Sequence, residues 1–361
     1  MTTEPTVDLA RIVRLADFEP LARVALDPAA FDYIAGGSWD EATLADNEAA
    51  WTRRRFRPRV LVDVSAVDPS TTLLGAPSTM PLAIAPMAIH GLAHPDAEVA
   101  TARAAAAMGV PFTLSTMASR SIEDVAAGAP RATRWFQLYV QREPRRSRSL
   151  VERAEAAGYS AVIVTVDLPV IGYRDRDRRS GFELPTLGNF VDRMPTHRSI
   201  GPKVDELTGA ETSPPTLTWA DLAAIRSWSP LPIVLKGILT VEDARLAVEH
   251  GVDGIVVSNH GARQLDRVQA PADALQEVAA AVDGRVEVWV DGGVRRGLDI
   301  AIALALGARG VLIGRPVLWA LAVGGQAGVE HALHLIRDEF ELTLALLGTP
   351  TPADVTRDHL V

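Results

Sequence analysis

The sequence contains no cysteine, which removes disulfides, thiolate catalysis, Fe–S clusters and cysteine-bound zinc at once. It has no excess of positive charge: 36 Lys and Arg face 45 Asp and Glu, a net charge of −9, with an isoelectric point near 5.4. Without a basic stripe, nucleic acid is not an expected partner. No apolar run is long and clean enough to span a membrane, because the most apolar late stretch, Leu298 to Val323, is broken by Asp299, Arg309 and Arg315. The first residues, Met1 to Asp8, have neither a basic n-region nor an apolar h-region, so no signal peptide is expected and the expected location is cytoplasmic. No metal site is expected.

What is present is a chain of 361 residues, 48% hydrophobic, 22% charged and 5% aromatic. That mixture excludes disordered, collagenous and mucin-like chains. The length suits one large α/β barrel with additions, a single domain over residues 1–361. Short apolar runs, many β-branched, recur at Leu82–Ala85, Pro111–Leu114, Trp135–Leu138, Ala161–Val166, Pro232–Leu235, Gly254–Val257, Glu287–Val290 and Gly310–Ile313. Runs without polar alternation read as strands buried on both faces. Between most of them lie Ala-rich amphipathic segments such as Ala97–Met108, Ser147–Ala157, Val241–Glu249, Pro271–Val282 and Leu298–Leu306. Gly109, Gly158, Gly251 and Gly307 supply helix stops. Eight strand–helix units predict a closed (β/α)8 TIM barrel over residues 81–347.

Two segments depart from the repeat. Residues 1–80 carry helical patterns at Leu15–Val24, Pro28–Ala35 and Asp40–Trp51 and are expected to cap the barrel. A long loop follows the fourth strand; its part from 188 to 218 is rich in Pro, Thr, Asp and Gly and is expected to be a flexible loop or lid.

Every run delivers a polar or special residue at or just after its end, where barrels of this type place their active sites. These residues include His90, Ser115, Gln137 with Tyr139, Thr165 with Asp167, Lys236, Ser258 through Arg263, Asp291 through Arg296, and Gly314 with Arg315. One such residue is an ordinary helix cap; eight sets make a functional face. The loops Asp291-Gly292-Gly293 and Gly314-Arg315 bring backbone N–H groups and guanidinium donors to the place where such barrels commonly hold phosphate. A phosphorylated ligand is expected, either substrate or cofactor. Spacing alone does not choose between them.

The motif Ser258-Asn-His-Gly-Ala-Arg-Gln-Leu-Asp266 does choose. With Ile34-Ala-Gly-Gly37, Phe136-Gln-Leu-Tyr139, Thr165-Val-Asp167, Leu235-Lys-Gly237, Asp291-Gly-Gly-Val-Arg-Arg-Gly297 and Ile313-Gly-Arg-Pro316, it strongly resembles the FMN-dependent 2-hydroxy-acid oxidase/dehydrogenase family. The resemblance runs from about Phe18 to Leu347 in motif order. It implies that the phosphate belongs to FMN, and that the partners are a small 2-hydroxy acid and O2, with a homo-oligomer, tetramer or octamer, as the assembly.

Residue by residue, the resemblance makes His260 the catalytic base, a role suited to an imidazole with an ordinary pKa of about 6.5. The other histidines His197, His250, His331, His334 and His359 are expected to be ordinary surface or core residues. Asp167 would orient His260 and stabilise its cation, and Tyr139 would hydrogen-bond the substrate oxygen. Arg263 would grip the substrate carboxylate bidentately, a geometry lysine lacks, with Tyr33 and Arg174 completing the clamp. Lys236 would sit by the flavin N1–O2 edge. Ser115, Gln137 and Thr165 would hold its polar edges, and Ala85, Pro86, Met87 and Ala88 would lie against the ring. Ser258 belongs with this cofactor set. Asp291 would take the ribityl chain or adjacent backbone, with Gly293, Arg295, Gly314 and Arg315 around the phosphate. Whether His260 takes the hydroxyl proton as hydride leaves Cα, or takes the Cα proton, stays open.

Met117 stands where short-chain relatives such as glycolate oxidase carry tryptophan, and Ile34 where they carry a second tyrosine. The segment Gly172-Tyr173-Arg174 has one arginine where many relatives have two. A softer, roomier pocket points to a 2-hydroxy acid larger than glycolate, and Ala88 favours oxygen use. The leading expectation is therefore an (S)-2-hydroxy-acid oxidase producing the 2-oxo acid and hydrogen peroxide. Alternatives are a dehydrogenase passing electrons to a quinone or protein carrier, and a flavin-free barrel lyase or isomerase with Lys236 as Schiff-base amine.

Overall fold

A computed structural model describes residues 7–190 and 216–361. The expected lid, 188–218, lies mostly outside the described residues, as does His197. Buried β-branched and aromatic runs pair in parallel because each is followed by a helix that must cover the sheet. Eight strands result: β3 (Leu82–Met87), β4 (Phe112–Ser115), β5 (Arg134–Leu138), β6 (Val162–Thr165), β7 (Ile233–Ile238), β8 (Gly254–Val257), β9 (Glu287–Val290) and β10 (Gly310–Ile313). They close in sequence order, with β10 paired back to β3. The (β/α)8 barrel is thus present, and the last three strands fall on the expected bounds.

Inside the barrel, Trp135 and Trp289 meet edge to face with centroids 5.3 Å apart, packed with Ala83, Ala161, Val234 and Leu312. Small residues on neighbouring strands leave room for the two indoles. A hairpin that the sequence reading did not anticipate, β1 (Thr71–Leu73) with β2 (Ala76–Ser78), pairs antiparallel beside this end. Its strands are too short to show a period, and one contains Pro77. Leu73 is fully buried in the same cluster, and Leu74 N–H donates to the Glu287 carboxylate.

The outer ring is built from Ala-rich helices whose small side chains let helix and sheet approach closely. The four stop glycines all adopt positive φ. The last helix, Arg315–Leu347, is interrupted at Gly324–Gly325 by non-helical backbone. The cap carries α1 (Phe18–Ala25), α2 (Pro28–Ala35) and α3 (Ala42–Thr52). The N-cap of α2 is Asp27, which accepts from Ala29 N–H, with Pro28 in the first turn. Among the described residues no helix is long and apolar enough to cross a membrane, and no cluster of metal-ligating side chains occurs.

Candidate active site

The carboxyl ends of the strands open into one cavity of about 380 Å³. Its wall brings together Ala85, Pro86, Met87, Ala88, Ser115 and Met117 from the first two barrel units. Tyr139, Thr165, Lys236, His260 and Arg263 follow from the middle units. Asp291, Gly293, Arg295, Gly314 and Arg315 close the ring, with Tyr33 from α2 and Arg174 from the loop after β6. Three expected site residues, Asp167, Gln137 and Ser258, stand behind this wall and act on the groups that form it. Gln137 accepts from Ser115 Oγ and donates to Thr165 Oγ1, so it fixes both hydroxyls that face the cavity.

His260 Nδ1 lies 2.8 Å from Asp167 Oδ1, and Nε2 lies 3.2 Å from Tyr139 Oη. An ionised carboxylate only accepts, so Nδ1 carries the hydrogen and Nε2 turns its lone pair toward the cavity. Burial lowers the His260 pKa, outweighing the Asp167 charge that would raise it. Burial opposes the Asp167 carboxylate, but His260 and Lys236 overcome it and hold the group below its usual range. Burial also pushes the Tyr139 phenol up, so it stays a donor. Together they form a neutral base with a fixed tautomer, set beside a phenol that keeps its proton.

Local backbone makes this possible at a cost. His260, Gly261 and Ala262 have φ of +60°, +63° and +62°, a left-handed turn that costs a non-glycine residue about 1–2 kcal/mol. The turn is held from several directions. Ser258 Oγ accepts from His260 N–H and from Lys236 Nζ. Asn259 Oδ1 accepts from Ala262 N–H, while its amide donates to Asn47 of α3. Ala262 carbonyl accepts from Ser38 N–H, and Gly261 carbonyl accepts from Arg315. Gln264 reaches the other way, donating to the carbonyls of Asp167 and Val170. Asp266 accepts from Ala42 and Thr43 N–H at the start of α3. Motif residues without an assigned role in the sequence therefore prove to be the fasteners of His260 and Arg263. Asn259, Gln264 and Asp266 were readable only as part of the motif.

Lys236 pairs with Asp291 at 3.0 Å. Burial would lower its pKa, but the Asp291 and Asp167 charges raise it above the ordinary lysine value. A lysine held as a cation is a poor amine nucleophile, which argues against the Schiff-base alternative. Gly237 makes room for this centre: a Cβ there would lie 2.5 Å from Asp167 Cβ, and its φ is +113°.

On the far side, Arg263 Nη1 donates to the carbonyls of Tyr33 and Gly36, and its guanidinium lies 4.7 Å above the Tyr33 ring. Tyr33 in turn stacks on Phe182, centroids 4.3 Å apart. Arg263 Nη2 is buried and has no hydrogen-bond partner among the described residues. Arg174 Nε donates to Arg263 carbonyl, which sets the two guanidiniums side by side. Their mutual repulsion calls for an anion.

At the other end, Arg315 donates to the carbonyls of Ile34, Gly36 and Gly261. Burial, reinforced by Arg263 and Arg295, pulls its pKa down to about 9. Arg295 is tied to Glu48 at 2.7 Å. Gly293 lines the cavity, but the tighter reason for glycine there is α3, since a Cβ would fall 2.0 Å from Asn47 carbonyl oxygen. The sequence reading also missed Asp177, Phe182 and Leu184, which line the same cavity. Asp177 lies in the short helix Asp175–Ser180, and Phe182 and Leu184 in the loop that follows it; none carries a motif.

Comparison with known proteins supplies four findings. Residues 22–361 match the family model described as FMN-dependent dehydrogenase. The chain is 48% identical over 357 residues to an L-lactate oxidase of Nostoc sp., covering 96% of this chain and 98% of that protein. It is 46% identical to glycolate oxidase 1 of Zea mays, covering 98% and 96% of the two. In structure it is similar to a mandelate oxidase crystallised with (S)-4-hydroxymandelic acid, with a TM-score of 0.91, 44% identity and coverage of 97% and 98%.

Proposed function

The chain belongs to the FMN-dependent dehydrogenase family and is an enzyme of the FMN-dependent 2-hydroxy-acid oxidase class, and we propose that it oxidises (S)-2-hydroxy acids larger than glycolate. The products are the 2-oxo acid and, from O2, hydrogen peroxide. The observation that carries the reading is His260 Nε2 turned into a cavity that has paired guanidiniums on one side and a buried Lys236–Asp291 pair on the other.

The cavity suits FMN on its own chemistry. Asp291 Oδ1 is buried with no hydrogen-bond partner among the described residues and needs a donor such as a ribityl hydroxyl. Arg315, destabilised as a cation by burial and by two neighbouring arginines, needs an anion such as a phosphate. It also lies at the N-terminus of its helix, just after Gly314. Ser115 and Thr165 would hold the polar ring edges, Lys236 would sit by the N1–O2 edge, and Ala85 to Ala88 would lie against the ring. FMN, when bound, supplies the two-electron acceptor. Arg263 and Arg174 would hold the substrate carboxylate, and Tyr139 would donate to its hydroxyl oxygen. His260 Nε2 then takes the proton, and Asp167 stabilises the resulting imidazolium.

Substrate size follows from the side-chain end of the cavity. Ile89, Met117 and Leu187 form an apolar cluster with Tyr33, Tyr139, Phe182 and Leu184 beside the clamp. Such a wall suits an aliphatic or aromatic side chain better than the bare methylene of glycolate. The mandelate oxidase relative, crystallised with an aromatic 2-hydroxy acid, supports the same size class. Because Tyr33 and Ile34 of the cap line the cavity, cap and barrel are one functional unit. We also place the enzyme in the cytoplasm as a homotetramer or octamer, to be checked by cell fractionation and light scattering.

The purified protein should be yellow and release one FMN per chain on acid treatment. Anaerobic addition of 2-hydroxyoctanoate or (S)-mandelate should bleach it faster than glycolate does, and air should return the colour with stoichiometric peroxide. Bleaching without peroxide would favour the dehydrogenase that uses a quinone or protein carrier.

A further inference from the structure

Directly after Arg174, the short helix Asp175–Ser180 turns one acidic side chain inward. Asp177 is buried, with 9% of its side chain exposed. Its Oδ2 lies 3.8 Å from Arg174 Nη1 and 4.0 Å from Arg263 Nη2. Both distances exceed hydrogen-bond length, so the carboxylate balances the guanidiniums without occupying their donors. Asp177 Oδ1 and Arg263 Nη2 are each buried without a hydrogen-bond partner among the described residues. Of the flanking arginines, Arg176 pairs with Glu41, whereas Arg178 lies 4.3 Å over the Tyr173 ring at the wall of the same cavity. Two guanidiniums and one carboxylate leave the Arg174–Arg263–Asp177 group itself with a single positive charge, with Arg178 farther along the same wall.

We infer that Asp177 sets the charge of the substrate clamp, making it selective for monocarboxylates and letting the monoanionic product leave. The inference rests on the reading of Arg174 and Arg263 as the carboxylate clamp. A monoanion neutralises the Arg174–Arg263–Asp177 group, whereas a dianion leaves it one negative charge in excess. Without Asp177, two uncompensated guanidiniums would hold product too tightly. Asp177 touches the clamp and not the reacting atoms, so it is a charge-setting residue.

The test uses the flavin-loaded protein with two probes, phenylglyoxylate as monoanion and oxalate as dianion, each titrated by perturbation of the visible flavin spectrum. Removing a like charge about 6 Å from the bound anion at an effective dielectric near 20 should tighten binding by roughly a hundredfold. Asp177→Asn should therefore tighten phenylglyoxylate by about a hundredfold and oxalate by a larger factor. Its KM and kcat should fall together as product release slows. Asp177→Glu, which keeps the charge, should retain the unmodified ratio of the two affinities. Weaker binding of both probes with a raised KM would show that Asp177 only braces the arginines, and equal tightening of both would show that charge is not the cause. If neither probe perturbs the unmodified protein, the clamp reading itself fails. If the Asn variant loses its fold, Asp177→Ser takes its place; loss of both would assign Asp177 to folding and overturn the proposal.

Discussion

The turn after β8 and the arm after β6 face each other across one cavity but are held in opposite ways. The turn, residues 258–263, is strained backbone locked by hydrogen bonds to α3, to Ser38, to Lys236 and to Arg315. The arm, residues 168–190, is held by side chains: Gln264 on its first carbonyls, the Tyr33–Phe182 stack, and Asn189 bound to Ile122 N–H and Thr116 carbonyl. The turn carries a proton acceptor of fixed tautomer and Arg263, while the arm carries Arg174 and Asp177, whose Oδ1 has no hydrogen-bond partner among the described residues. Chemistry that must be accurate to a fraction of an ångström sits on the part that cannot relax. In our reading recognition is shared: Arg263 comes from the turn, and Arg174 with the apolar wall comes from the arm, which is held by packing and charge.

If that division is right, damage on the turn should appear in the rate of flavin reduction. His260→Gln should keep its flavin and lose about 10²–10⁴-fold in the rate of anaerobic bleaching by substrate. A loss below tenfold in stopped flow would remove His260 as the base.

Damage on the clamp should strike binding and rate together. Arg263→Lys exchanges a planar fork, anchored by the carbonyls of Tyr33 and Gly36, for a point charge. It should cost about 1.5–3 kcal/mol, roughly 10- to 150-fold in kcat/KM. An inhibitory carboxylate that bound both proteins equally would break the comparison.

Between the two regions, Met117 packs against Leu187 of the arm. Met117→Trp should overfill the side-chain end and shift the ratio of kcat/KM for glycolate over mandelate upward by roughly 5- to 150-fold, an overpacking cost of about 1–3 kcal/mol. Parallel changes for all substrates would make Met117 a stability residue only.

The smallest expected effect is a pH dependence that sharpens the view of the turn. Because burial lowers the His260 pKa, the base is neutral at neutral pH. The plot of kcat/KM against pH should stay flat there and fall on the acid side, with a midpoint below the ordinary imidazole value of about 6.5. The same depressed value means the folded chain resists protonation of His260. Its contribution to stability is therefore present above the unfolded imidazole pKa and is lost as pH falls through the folded one. An acid-limb midpoint above the ordinary value would mean that Asp167, and not burial, governs the group.

The sequence by itself determined the barrel, because parallel strands buried on both faces show as uninterrupted apolar runs and their helices end on glycine. It also determined the residues at the strand ends, since the strand-to-cavity direction is fixed once the barrel is known. The motif Ser258–Asp266 was legible as a unit, and through it the flavin class. What it could not show is why each motif residue is there. Asn259 reaches Asn47 and Asp266 reaches Thr43, more than 200 positions away, and such partners exist only after the cap has docked. The hairpin Thr71–Ser78 is too short to show a period. Asp177 sits among alternating Asp and Arg that read as a solvated run; only the folded arm turns one of those carboxylates inward toward two arginines. Local pattern decides the secondary structure that local forces can hold, whereas the balance of charge in a buried site is a sum over groups that only the tertiary structure brings together.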